Sequence, residues 1–198
     1  MPNIRPYRPE DLPAVQDICV RTGDAGGDAR GQYSSDELMG DCFAAPYVTL
    51  EPRFAFVLED AGQPVGYVLG TADTPAFVQS YATSWVPHLR RRYPEPYAET
   101  DRWLLELGLN PQRMLEPGLE NHPAHLHIDL LPQVQGQGFG RQLIHRFLGA
   151  VREAGAPAVH LGMAPTNTSA RLFYERLGFQ ELPVGGPTVT YLGRSTTV

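Results

Sequence analysis

Gln135-Gly136-Gln137-Gly138-Phe139-Gly140 follows an apolar run, Leu126 to Leu131, that Pro132 closes. It opens a helix-patterned segment, Arg141 to Ala154. A strand that ends, a glycine loop and a helix that starts together make an anion site. The first helical N–H groups have no intrahelical partner, and the helix dipole is positive there. Glycines let the backbone approach a phosphate closely. The passage therefore points to a phosphate-bearing cofactor.

Outward from this loop, His125 to Leu131 reads as a central strand. Arg141 to Glu153 reads as a helix with Leu143, Ile144, Phe147, Leu148 and Val151 on one face, and Gly155 and Pro157 end it. Ala158 to Met163 is the next strand. Asn167 to Leu177 is a helix stopped by Gly178. Phe179 to Leu182 and Val189 to Leu192 are terminal strands around a Gly185-Gly186 turn. On the N-terminal side, Ile4 to Tyr7 is a short strand, and Pro9-Glu10-Asp11-Leu12 starts a helix with acids at its positive end. Residues 23–34, with Gly23, Gly26, Gly27 and Gly31, form a loop. Ser34-Ser35-Asp36-Glu37 opens a short helix with capping-box chemistry. Phe54 to Glu59 and Val65 to Thr71 are strands joined by a hairpin turn at Asp60 to Pro64.

Residues 72–122 read as a helical insertion between two strands. Phe77, Tyr81, Trp85 and Leu89 form a helical stripe that ends at Arg90-Arg91-Arg92, and Thr100 can cap a helix over Asp101 to Leu107 with Trp103 on its apolar side. The aromatics of this segment either pack its added helices or wall the substrate side of a site.

The bulk numbers fit one domain, 1–198, able to bury a core: 198 residues, 42% hydrophobic and 19% charged. A formal charge of -6 argues against non-specific nucleic-acid binding, which needs a basic footprint. Cys19 and Cys42 are the two cysteines and read as reduced, semi-buried thiols. No Cys/His spacing suggests a metal site. No apolar run is long enough to span a bilayer, and Met1 to Pro6 does not read as a signal peptide, so a cytoplasmic protein without membrane partners is expected.

The glycine loop lacks the Gly-Lys-Ser/Thr of a P-loop. Its Gly136-x-Gly138-x-Gly140 spacing, with no acid at the end of a second strand, does not match a dinucleotide fingerprint. Apart from a plain tight turn, one pattern remains. Gln135-x-x-Gly138-x-Gly140 after a strand and before an amphipathic helix resembles motif A of the GNAT N-acetyltransferases. Asn167-x-x-Ala170-x-x-Phe173-Tyr174-x-x-Leu177-Gly178-Phe179 resembles motif B of the same family, one helix and one strand later. Ile4 to Leu12 resembles its first strand and helix. The chain is thus similar to a GNAT over most of its length, outside residues 72 to about 122. The stretches His125 to Pro132 and Leu161 to Asn167 further resemble the acetyltransferase-like C-terminal domain of O-GlcNAcases and its free-standing bacterial relatives. Glycoside hydrolysis is not implied, since it belongs to a separate domain of those proteins.

The resemblance implies an α/β (α+β) GNAT fold: a central, mixed, mostly antiparallel twisted sheet with splayed central strands, flanked by helices. It implies acetyl-CoA as cofactor, an amine as acceptor, and direct transfer in a ternary complex. The N–H groups of Gln135, Gly136, Gln137, Gly138, Phe139 and Gly140, with Arg141, would hold the pyrophosphate. Backbone around Leu130 and Leu131 would pair with the pantetheine arm, and an N–H near Leu131 would polarise the thioester carbonyl. Tyr174 would protonate the departing thiolate, or else only pack beside Phe173. Asn167 would contact pantetheine, cap its helix, or do both. Asp129 and His127 share one strand face and are the candidate bases, with structural roles as the alternative. The competing functional reading is a GNAT-like module that binds acyl-CoA or a protein without turnover. A protein lysine, an aminoglycoside, a polyamine, an amino sugar and an amino acid all remain open as acceptors.

Overall fold

The computed structural model describes residues 2–197. Seven strands form one sheet in the order β1-β2-β3-β4-β5-β7-β6. They are β1 (Asn3–Pro6), β2 (Phe56–Asp60), β3 (Gln63–Thr71), β4 (Ala124–Leu130), β5 (Ala158–Met163), β6 (Gln180–Gly186) and β7 (Val189–Ser195). Every neighbouring pair is antiparallel except β4 and β5. Those two run parallel and pair only at Ala124↔Val159 and His125↔His160. Beyond His125 they diverge, and the splay is the feature that creates the site.

The helices are α1 (Leu12–Arg21), α2 (Glu37–Phe43), α3 (Ala45–Leu50), α4 (Thr74–Ser80), α5 (Val86–Arg92), α6 (Arg102–Gly108), α7 (Phe139–Glu153) and α8 (Thr168–Arg176). The apolar stripe of α7 is fully buried at Leu143, Ile144, Phe147, Leu148 and Val151. This is the face that its 3.6-residue period predicts. Gly155, at φ 93°, adopts the left-handed conformation that ends this helix. Gly70 lets the sheet and α7 meet: a Cβ there would lie 2.0 Å from the His125 carbonyl oxygen and 2.8 Å from the Phe147 ring.

Several local expectations are corrected. The β2–β3 turn is tighter than Asp60 to Pro64: Ala61 and Gly62 have φ 48° and 80°, the left-handed pair of a two-residue hairpin. Gly185 and Gly186 lie in β6 and pair with Thr190 and Val189, so the terminal turn falls at Pro187 and Thr188. No capping box opens α2; Asp36 instead accepts from the Gly31 N–H at 2.8 Å, and Ser35 Oγ takes the Glu37 N–H at 3.2 Å. Thr100 does not cap α6 but donates to Asp101 at 3.1 Å. Trp103 is 61% exposed rather than packed. Helix α3 carries no clear sequence signal, because Tyr47, Val48 and Thr49 favour strands while Pro46 at the first turn favours a helix start.

Within 72–122, α4 and α5 form one continuous rod through a π-turn at Tyr81–Trp85. Pro87, which has no N–H to continue an α-ladder, follows that turn. Its aromatics pack inward on α2: the Trp85 indole N–H donates to the Asp41 carbonyl at 2.8 Å, and the Tyr93 hydroxyl to the Asp41 carboxylate at 2.8 Å. Arg92 pairs with Asp41 at 2.7 Å and with Glu37. Among the described residues no helix is long and apolar enough to cross a membrane.

Candidate active site

The splay opens a groove of about 1050 Å³. Its floor is β4, from Leu126 to Leu130. One wall is β5 and α8 with its N-cap, including Asn167, Phe173 and Tyr174. One end is the glycine loop with Gln135, Gly136, Gly138, Gly140 and Arg141. The opposite wall is the loop after α1, with Thr22, Gly23, Ala25 and Gly26. No residue of 72–122 lines it. The insertion therefore does not border this groove, and the glycine-bearing loop after α1 does.

The register of β3 on β4 decides which backbone groups are free. The Leu131 N–H donates to the Val65 carbonyl at 2.9 Å, and the Leu131 carbonyl accepts from Val134 at 3.0 Å. In an antiparallel ladder the inward and outward peptide groups alternate. The peptide groups of 125, 127, 129 and 131 thus face β3, and those of 126, 128 and 130 face the splay. Leu131 is buried and already paired on both sides, so the free N–H that the resemblance implies near it is not its own. Ile128 and Leu130 supply the open N–H groups instead. The β3–β4 pairing carries no register shift, so no bulge re-aims the side chains of this strand.

Gln135 turns its side chain back onto the strand, and its Nε2 donates to the Leu130 carbonyl at 2.8 Å. It ties the loop to the end of β4. From Gly136 to Arg141 the N–H groups find no acceptor among the described residues, since Gln142 makes the first bond of α7, to Gly138 at 3.3 Å. Gly136 and Gly138 stand at φ 73° and 86°, in open space, so conformation rather than crowding requires glycine there. Gly140 is different: a Cβ would come within 3.0 Å of Phe173 and 3.2 Å of Leu130. Gln137 and Phe139 do not line the groove. Gln137 bonds to the Gln133 carbonyl at 2.7 Å, and Phe139 packs on the core.

Asp129 lies on the groove floor directly opposite Tyr67, whose hydroxyl donates to its Oδ2 at 2.5 Å. Burial pushes the Asp129 carboxyl up to about 6, and the Tyr67 bond holds it from rising further. Tyr67 carries no local sequence signal, because its pairing with Asp129 joins strands far apart in the chain. Burial pushes His127 down to about 4, so it is neutral at physiological pH. Asn167 Oδ1 accepts from Ala170 N–H at 3.1 Å and caps α8, while the residue still borders the groove. The Tyr174 ring sits edge-on to Phe173 and Phe179, with centroids 5.1 and 5.5 Å away. Burial, then the nearby Asp129 charge, raises its phenol above the ordinary tyrosine value. Asp129 and Tyr174 thus flank one space.

A sequence model of the Acetyltransferase (GNAT) family matches residues 28–179. The chain belongs to the GNAT acetyltransferase family. The crystal structure of SsHAT is 56% identical, covers 100% of this chain and 99% of that one, and superposes with a TM-score of 0.94. Protein O-GlcNAcase of Rattus norvegicus is 28% identical over 97% of this chain. The chain spans 22% of the length of that protein. The structure of yncA, a putative acetyltransferase from Salmonella typhimurium with its cofactor acetyl-CoA, shares the fold at 14% identity and a TM-score of 0.57, covering 98% of this chain and 94% of that one.

Proposed function

We propose that this GNAT chain is an acetyl-CoA-dependent N-acetyltransferase that passes the acetyl group directly to an amine held in the same groove. The observation that carries the reading is the continuity of one groove. An anion-ready loop, an unpaired strand edge, a carboxylate that titrates near neutrality and a protonated phenol all border it.

The residues fit the cofactor along its length. The free N–H groups from Gly136 to Arg141, at the positive end of α7, suit a pyrophosphate, and the Arg141 guanidinium adds charge. The splay-facing groups of Ile128 and Leu130 suit the amides of the pantetheine arm as an added strand would. Acetyl-CoA, when bound, supplies a thioester whose carbonyl an amine attacks. Asp129 takes the proton that the amine nitrogen gives up as the C–N bond forms. The Tyr174 hydroxyl gives its proton to sulfur as the C–S bond breaks. A raised phenol keeps that proton across the working pH range, so the donor form is present when the thiolate departs. Asp129 suits the base role better than His127, whose low basicity gives little driving force for proton transfer. A cytoplasmic setting belongs to the same proposal.

Thiol release from acetyl-CoA tests this against a panel holding a lysine peptide, a polyamine, an aminoglycoside, an amino sugar and an amino acid. Amine-dependent release that Tyr174→Phe lowers at least tenfold, with cofactor affinity kept, is the expected result. Cofactor binding with no release for any amine class would favour a non-catalytic binding module.

A further inference from the structure

We propose that His127 offers an unprotonated Nδ1 to the groove as the hydrogen-bond acceptor for the incoming amine, and that Thr74, His125 and Tyr47 are positioning residues that hold it in that tautomer. The proposal rests on the transferase reading above for the identity of the amine, but its proton assignment stands on the hydrogen-bond distances and the burial of His125.

Four side chains form an unbroken line from α4 to the groove. Thr74 Oγ1 lies 2.7 Å from the Pro123 carbonyl and 2.7 Å from His125 Nδ1. His125 Nε2 lies 2.8 Å from the Tyr47 hydroxyl, and that hydroxyl lies 3.1 Å from His127 Nε2. The Tyr47 hydroxyl also reaches Met114 Sδ at 3.6 Å, a weak acceptor.

One proton placement turns every close polar contact of this line into a hydrogen bond. A carbonyl only accepts, so Thr74 must spend its single proton on Pro123. Thr74 Oγ1 then accepts from His125, which fixes the His125 proton on Nδ1. Burial, with the neighbouring His160, His127 and Arg113, keeps His125 neutral, so its Nε2 has only a lone pair. Tyr47 therefore donates to His125 Nε2. With its proton committed, the Tyr47 oxygen can only accept from His127, which fixes the His127 proton on Nε2. The reverse order fails at its first step, because the Thr74 and Pro123 oxygens would face each other at 2.7 Å with no proton between them.

What is left over is His127 Nδ1. It has no hydrogen-bond partner among the described residues, yet it is not sealed in the interior, and His127 lines the groove. It stands two residues from Asp129 on the same face of β4. An amine nitrogen in the groove can thus donate one N–H to His127 Nδ1 and lose another proton to Asp129. That pair of contacts would aim its lone pair.

The first test reads the tautomers directly in the ligand-free chain. Long-range ¹H–¹⁵N correlation of ring-labelled histidine distinguishes Nδ1–H from Nε2–H. His125 is expected as Nδ1–H and His127 as Nε2–H, opposite tautomers two residues apart. Either one reversed overturns the proposal, whether or not the chain transfers acetyl groups. The second test is kinetic. Tyr47→Phe should raise the acceptor KM roughly tenfold, the size of one hydrogen bond of about 1.4 kcal/mol, with the acetyl-CoA Kd unchanged within about twofold. Thr74→Val should act in the same direction, and Thr74→Ser should restore the native value. A native acceptor KM in folded Tyr47→Phe overturns the positioning role. Absence of transfer in the native chain would instead sink the proposed function while leaving the tautomer result to stand.

Discussion

The Tyr67 hydroxyl and the Asp129 carboxylate meet at 2.5 Å across directly paired positions of β3 and β4. The bond joins a buried donor to the one carboxylate that lines the groove among the described residues. It favours the ionised form of Asp129, against the burial that favours the neutral one.

If Asp129 is the base, turnover follows its ionisation. With the carboxyl near 6, the reactive form is present above that pH and is lost as pH falls through it. The pH profile of kcat/KM should therefore rise through about pH 6 and flatten above. Asp129→Asn should lose this limb and about 10² in rate or more, and keep its cofactor affinity. A native profile in that variant removes Asp129 from the base role.

Removing the Tyr67 hydroxyl takes away a donor that stabilises the charged carboxylate. In Tyr67→Phe the Asp129 carboxyl should titrate higher, and the acid limb should move to higher pH. Measuring kcat/KM from pH 5 to 9 reads the shift. A limb that stays in place or moves to lower pH contradicts the assignment.

Much of this arrangement was legible in the sequence, and the gaps have physical causes. The buried stripe of α7 and the glycine loop follow from local spacing, and the place of Tyr174 follows from the resemblance of Asn167 to Phe179 to motif B. Non-local pairing is silent in sequence. Tyr67 opposite Asp129, the Leu131 N–H spent on Val65, and Gln135 folded onto Leu130 all depend on registers between distant segments. The same limit hides which segment borders the groove. The aromatics of 72–122 looked suited to a substrate face, but Tyr81 and Trp85 are buried, with their polar atoms on the carbonyls of Cys42 and Asp41.

Two glycine substitutions should separate conformational demand from mere presence of a side chain. Gly138→Ala forces a Cβ into φ 86°, at a cost of about 1–2 kcal/mol, and should weaken acetyl-CoA binding roughly tenfold. Gly149→Ala lies inside α7 with nothing within 4 Å of its Cβ, and should stabilise the chain by about 0.5–1 kcal/mol. Calorimetric Kd and thermal melts check the pair. Equal effects of the two changes would mean that the loop conformation does not matter.

The placement of acetyl-CoA at the glycine-loop end of the groove is the central proposal, and titration calorimetry of acetyl-CoA against the native chain and Gly138→Asp tests it most directly. The native chain should bind with one site, and the variant, which sets a carboxylate among the free N–H groups, should lose at least 10² in affinity. No binding to the native chain at millimolar acetyl-CoA, or equal affinity in the two, would contradict the account.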